Sequence, residues 1–192
     1  VTTIAIGGGV SDGDVAIGGS VMVDIFDLTT RAYIASGAQV NQTASGGSQN
    51  INITATDDTK LSNGAGGLGG ATGSVGIGAG IIVEVIDKDV RAYIDTGANV
   101  SADGNITIDS NSSEDILNVA ATVGASNEAG ISASIIVLVL TNGSRAYIAS
   151  TSGSPTTVHA GGDLTISASD DADKIQLYAG GLAFGSSAGI GV

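Results

Sequence analysis

Three stretches of the chain alternate strictly between apolar and small or polar residues, and they do so in the same register. Odd positions read Val15, Ile17, Gly19, Val21, Val23, Ile25 in the first, Val75, Ile77, Ala79, Ile81, Val83, Val85 in the second and Ala129, Ile131, Ala133, Ile135, Val137, Val139 in the third. A period of two with β-branched and small residues predicts strands, with this odd face as the buried one. The even face begins small (Ala16, Gly18, Ser20 and their counterparts). It then turns apolar at Met22, Ile82 and Ile136, and again at Phe26, Ile86 and Leu140. With the odd face inward, these six residues form an outward stripe. Such a stripe is either a contact surface or is covered by a loop or another sheet of the same chain.

Each stretch ends in Arg-Ala-Tyr-Ile, at Arg31, Arg91 and Arg145, spaced by 60 and 54 residues (91 − 31 and 145 − 91). A third alternating block follows at Asn52–Ala55, Asn105–Ile108 and Asp163–Ile166. After it come acidic pairs at Asp57-Asp58, Glu114-Asp115 and Asp170-Asp171, read as turns, and a Gly/Ala-rich stretch. Three imperfect repeats of 54–60 residues result, at about 10–69, 70–124 and 125–185, with partial copies at both ends. Nearly all the length variation falls in one loop, roughly 37–50, 97–103 and 151–162, which also holds Pro155 and His159. Solenoids accept insertions at one corner while their stacked strands stay in register.

No segment shows a helical period with caps. The prediction is an all-β chain, a parallel β-helix (β-solenoid) forming a single segment over 1–192, with an antiparallel β-sandwich as the competing architecture. A 54–60-residue unit is long for one coil, so two or three coils per repeat are expected. The last residues, Ser187–Val192, begin a further copy, so the chain reads as a piece of a longer array.

Composition narrows the function classes. The 192 residues include 31 Gly, one Pro, one His and no Cys, so no disulfide, thiolate metal site or Cys nucleophile exists. Six Lys+Arg against 19 Asp+Glu give a net charge of −13, which repels nucleic acid and anionic membrane surfaces. No apolar run approaches the length of a spanning helix, and membrane insertion is not expected. The hydrophobic fraction of 42% is too high for a disordered acidic chain.

The Arg-Ala-Tyr-Ile-x-x-Gly-Ala-x-Val runs (Arg31–Val40, Arg91–Val100), followed by Gly-Asn/Asp-Ile/Leu-Thr-Ile (Gly104–Ile108, Gly162–Ile166), resemble the passenger repeats of filamentous-haemagglutinin-like and leukotoxin-A-like bacterial exoproteins. The resemblance covers nearly the whole chain. It implies a right-handed parallel β-helix, secretion to the cell surface, and an adhesive or filamentous role without catalytic residues. The third copy departs from it, with Ser150-Thr151-Ser152-Gly153 in place of Gly-Ala-x-Val.

Several constellations remain open at this level. Arg31, Arg91 and Arg145 form either a surface ladder paired with neighbouring carboxylates or a strip recognising anionic glycans. Tyr33, Tyr93 and Tyr147 form a packing ladder or a platform for sugar stacking. Asp170, Asp171 and Asp173 are the best Ca²⁺ candidate, against solvated turn charges, and no other cofactor is expected. A catalytic triad through His159 and a paired-carboxylate glycosidase site both lack a convergent cluster, so no enzyme is expected. The expected partners are other copies or neighbouring segments of the same protein, or surface glycans.

Overall fold

The computed structural model describes residues 1–41 and 49–192; among these there are eleven strands and no helix. The long strands are β2 (Val15–Ile34), β4 (Ile51–Ala71), β5 (Val75–Ile94), β7 (Ile106–Ala125), β8 (Ala129–Ile148) and β10 (Leu164–Phe184). The short ones are β1 (Thr2–Ser11), β3 (Gln39–Val40), β6 (Asn99–Ala102), β9 (Thr157–Ala160) and β11 (Ala188–Gly191). They pair in parallel into three sheets. Sheet A is β1-β4-β7-β10, sheet B is β2-β5-β8-β11 and sheet C is β3-β6-β9. The fold is a parallel β-solenoid.

One repeat makes one coil, not two or three. Val15 pairs with Val75 and Val75 with Ala129, and this register holds without slip to Ile34, Ile94 and Ile148. The reason lies in the unbroken alternation: no Pro interrupts the strands, and even Asn142-Gly143 stays in register with Lys88-Asp89, so they run on for 20 residues. For the same reason the acidic pairs are not turns. Asp57 and Asp58 lie inside β4, paired with Ser112 and Ser113 of β7. Only in the last coil does the register shift there, between Asp171 and Lys174.

At about 3.3 Å per residue a 20-residue strand is roughly 65 Å long, while each coil adds only about 4.8 Å to the stack. The solenoid is therefore a broad ribbon. Sheets A and B are its two faces. Sheet C closes one edge, and three-residue polar turns (12–14, 72–74, 126–128) close the other.

The corner after each Arg-Ala-Tyr-Ile carries the length variation. In the first two coils it turns on Gly37 (φ 70°) and Gly97 (φ 73°), left-handed conformations in which glycine carries no steric cost. The third coil has Thr151 there and takes a longer path, with a Thr151–Ser154 bridge, before Thr157 rejoins Asn99 in sheet C. The first copy of this corner also includes residues 42–48, which fall outside the described ones.

The interior narrows from one edge to the other. Beside sheet C it is filled by Val90, Ile94, Val100, Ile106 and Ile108. Next comes Leu61, Ile86 and Ile116, then the smaller group of Met22, Ala65, Ile82 and Ala120. Toward the polar turns the inward positions become glycine on both sheets. A Cβ on Gly69 would lie 1.9 Å from the carbonyl oxygen of Ile77, and one on Gly78 would lie 2.2 Å from that of Val123. Here backbone meets backbone, far inside the roughly 10 Å that separates ordinary stacked sheets. In cross-section the ribbon is a wedge.

Candidate functional site

The wedge overturns the assignment of inner and outer faces. Met22 is 4% exposed, and Ile82 and Ile86 are fully buried. Ile136 packs against the same cluster as Ile82, and Phe26 and Leu140 against that of Ile86. The predicted outward stripe is core, covered by the facing sheet of the same chain. The face predicted as buried points outward. Ile17 is 66% exposed, Val21 64% and Ile25 73%, and Ile135, Val137 and Val139 are exposed on the third coil. Strand parity explains the inversion. Odd positions of an unbroken strand share one face, and that face continues into Asp27, Thr29, Arg31 and Tyr33.

Two outer surfaces result on sheet B. From Val15 to Ile25, and at the paired positions of β5 and β8, the outward residues carry no charge and are almost all Val, Ile or Ala. The middle coil's share is half-buried between its neighbours. At Asp27, Asp87 and Thr141 the same face turns polar in all three coils at once. Sheet A divides in the same way. Its polar part ends near Lys60 and Asp115, which pair at 2.9 Å. Beyond that, Ile4, Ile6, Leu68, Val119, Leu182 and Phe184 are exposed, with half-buried Val123 between Leu68 and Leu182 on the same face. The outward glycines Gly64 and Gly66 leave a shallow groove of about 370 Å³ between Ile4, Ile6 and Val119.

The Arg and Tyr columns stack as the register requires. The rings of Tyr33 and Tyr93 lie 5.2 Å apart at 8°, and those of Tyr93 and Tyr147 lie 5.1 Å apart at 2°. Both flat faces of Tyr93 and the inner faces of Tyr33 and Tyr147 are occupied by one another, so within the ladder mainly ring edges and hydroxyls remain. This geometry favours a packing ladder over a sugar-stacking platform. All three Arg converge on one carboxylate, Asp89. Arg91 binds it through Nε (2.6 Å) and Nη2 (2.5 Å), and Arg31 and Arg145 approach to 3.7 and 3.9 Å. Asp89 was not singled out in the sequence. Its column holds Thr29 and Gly143 in the other coils, so it carries no repeat signature.

The acidic run of the last coil is divided. Asp170 pairs with buried Ser112 and Asp171 with outward Ser113, so their side chains leave opposite faces of β10, and Asp173 falls in the irregularity that follows. Among the described residues no group of three or more His, Cys, Asp or Glu is placed to hold a metal ion. Asp170 instead accepts a hydrogen bond from Asn142 Nδ2 (2.5 Å). Burial and the nearby charge of Glu114 push its carboxyl above the usual value, more than Lys88 lowers it. His159 lies on β9 beside Ser101, exposed at the sheet C corner.

Two polar layers cross the core, and the sequence pattern hid both. Lys88 is fully buried and reaches Glu114 (2.7 Å) and Asp57 (2.9 Å). Its ammonium also donates to the carbonyl oxygens of Ser113 (3.1 Å) and Asp57 (3.3 Å). Asn142 and Ser112 donate to Glu114 as well. Burial pushes the Asp57 carboxyl up, but hydrogen bonds from Lys88, Thr59 and Thr30 outweigh it and hold the group below its ordinary value. In the second layer the buried Glu84 carboxylate accepts from the side-chain amides of Asn63 (2.9 Å) and Asn118 (2.7 Å). The fully buried charges of both layers, Lys88, Glu114 and Glu84, belong to the middle coil. The column of Lys88 holds Leu28 and Asn142 in the flanking coils, and that of Glu84 holds Asp24 and Leu138.

Comparison with protein-family models, curated proteins and solved structures finds no match. The surfaces themselves carry the functional argument. They comprise an uncharged apolar half, a charged half whose Arg ladder gathers on Asp89, and a corner that carries the length variation between coils.

Proposed function

We propose that this chain is a structural segment of a secreted, repetitive cell-surface exoprotein of the adhesin type that its repeats resemble. It acts by architecture, without catalysis. The observation that supports this reading best is the coil-by-coil register. Equivalent residues stack from Val15 to Ile34 through three coils, so the architecture extends by adding coils without new design. Variation is confined to the sheet C corner, where partner contacts with other proteins or glycans belong.

Because each repeat adds only about 4.8 Å, reach from a cell requires many repeats. Breadth comes at once, so the element is a ribbon or sheath wall more than a slender stalk. A second reading has separate chains stack end to end into a filament, and the unbroken parallel pairing from coil to coil is the geometry such stacking would continue. The intact mass of the denatured native polypeptide separates the two. A mass far above 18.5 kDa with more Arg-Ala-Tyr-Ile copies supports the exoprotein segment, and a mass near it supports the stacking subunit. Electron micrographs of either assembly should show a ribbon about 65 Å wide. A fibre of half that width would overturn the one-coil repeat on which both depend.

A further inference from the structure

Among the described residues the apolar half of sheet B has no partner. We infer that it is an interface between two copies of this chain, which overlap face to face across their thin halves. Four observations carry this.

The first is area. Eleven residues at about 3.3 Å by three to four strands at about 4.8 Å cover roughly 500–700 Å² per copy. A pair would bury on the order of 1,000–1,400 Å², within reach of a stable interface. The largest apolar patch on an ordinary monomer is about 300–600 Å², and this ribbon carries a second one behind it on sheet A.

The second is texture. The rows are in-register ladders of Val and Ile such as Val21–Ile81–Ile135, flat and rigid, which lose little side-chain freedom when another such face seats on them.

The third is charge. With a net −13, two copies repel each other unless their charged parts stay apart. The boundary at Ile25/Asp27, Val85/Asp87 and Val139/Thr141 lies at one register in every coil. A two-fold overlap of the thin halves alone places the charged halves on opposite sides of the pair. Such an interface is isologous.

The fourth is the glycine seam. The two sheets touch backbone to backbone in this half, so little of its apolar surface is satisfied from within. The apolar side chains that most chains spend on their interior sit outside here.

This inference rests on the ribbon fold and not on the adhesin reading, and it is distinct from end-to-end stacking. Its test is the molar mass in solution by sedimentation equilibrium, for the chain as it stands and for the triple variant Val21→Lys, Ile81→Lys, Ile135→Lys. These side chains point outward, and circular dichroism confirms that the variant folds. The unaltered chain should show at least a twofold mass at micromolar concentration, and the variant should return to the monomer. A second readout uses the absence of Cys. A single thiol introduced by Val21→Cys should be alkylated several-fold more slowly at high protein concentration, whereas Thr29→Cys on the charged half should not change. A monomeric unaltered chain would overturn the proposal. So would a triple variant that associates as strongly, because association would then run through the coil ends. Flotation of an otherwise monomeric chain with neutral phosphatidylcholine vesicles would also overturn it, by assigning the face to lipid.

Discussion

The two halves of the ribbon solve one problem in opposite ways. The thick half is built like a conventional domain, with Ile and Val inside, Asp, Thr, Arg and Tyr outside, and two polar layers hydrogen-bonded between coils. The thin half puts glycine inside and Val and Ile outside. Both are held by the same inter-coil hydrogen bonds, since every long strand runs through both halves. What differs is the source of cohesion between sheets A and B. In the thick half it is burial of large side chains, worth about 1.5–3 kcal/mol each when complete. In the thin half it is close backbone contact, which any added Cβ destroys. The same strand therefore tolerates opposite substitutions at its two ends.

The largest effect should come from the thick half. Lys88→Met removes the cation shared by Glu114 and Asp57 and leaves at least one buried carboxylate uncompensated. Such a loss costs about 3–5 kcal/mol, measurable as a lowered denaturant midpoint. Adding Glu114→Leu to Lys88→Leu should recover most of it, because a buried ion pair replaced by apolar residues of similar size is often neutral. The first coil already places Leu28 in the Lys88 column. A double variant no more stable than Lys88→Met would show that the layer sets the register of the coils and is not an isolated pair.

The thin half is tested by two adjacent glycines. Gly69 points inward, and a Cβ there would meet the Ile77 backbone at 1.9 Å. Gly70 points outward, with nothing within 4 Å. Gly69→Val should cost at least the roughly 1–3 kcal/mol of an overpacked core, since backbone cannot yield as a side chain does. Gly70→Val should be neutral or slightly stabilising, because valine suits an outward strand position better than glycine. Equal thermal midpoints for the two variants would remove the glycine seam and the wedge with it.

The aromatic ladder gives a smaller effect. Tyr93 stacks on both Tyr33 and Tyr147, so Tyr93→Leu should lose about 0.5–1.5 kcal/mol per ring pair beyond its change in burial. Tyr147→Leu breaks only one described stack and should cost about half as much. The ratio between the two, read from chemical denaturation, separates a ladder from three independent tyrosines.

Repeat length, strand character, parallel stacking and the variable corner were legible because each rests on identity at fixed spacing. The faces were misread because the more uniformly hydrophobic side of an alternating run was taken as the interior. The correcting signal was present. Arg31 and Val15 share parity, so in an unbroken strand a solvent-facing Arg column carries the Val and Ile column outward with it. Matched glycines at Gly67 and Gly69 on one strand and Gly76 and Gly78 on the next were a second sign, marking close backbone approach. The polar layers were not legible. Lys88, Glu84 and Glu114 have no like-charged counterpart at one or both flanking positions of their columns, and only the fold brings them from β5 and β7 together with Asp57 and Asn63 of β4 and Asn142 of β8. The Ca²⁺ candidate rested on reading the acidic run as a turn, whereas Asp170 and Asp171 lie on a strand, where neighbouring side chains point apart.

Acid titration distinguishes the halves most finely, because the thin half's apolar faces contribute no titrating group. Asp57 is held below its ordinary value of 3.8 in the folded chain, so it binds its proton more weakly folded than unfolded. Its contribution to stability is complete above the ordinary carboxylate range and is lost as the pH falls through its folded value. Asp170 is raised and has the opposite sign: the folded chain takes up its proton first, so acidification through that range favours the folded state at this position. Wild-type stability should therefore fall below about pH 4, with Asp57 contributing to the slope and Asp170 opposing it. Asp57→Asn should flatten the acid limb of a stability–pH curve from urea titrations, and Asp170→Asn should steepen it. If both variants merely shifted the curve without changing its slope, the Lys88 layer would not be the acid-sensitive element, and the carboxylates on the outer face of the thick half would have to be.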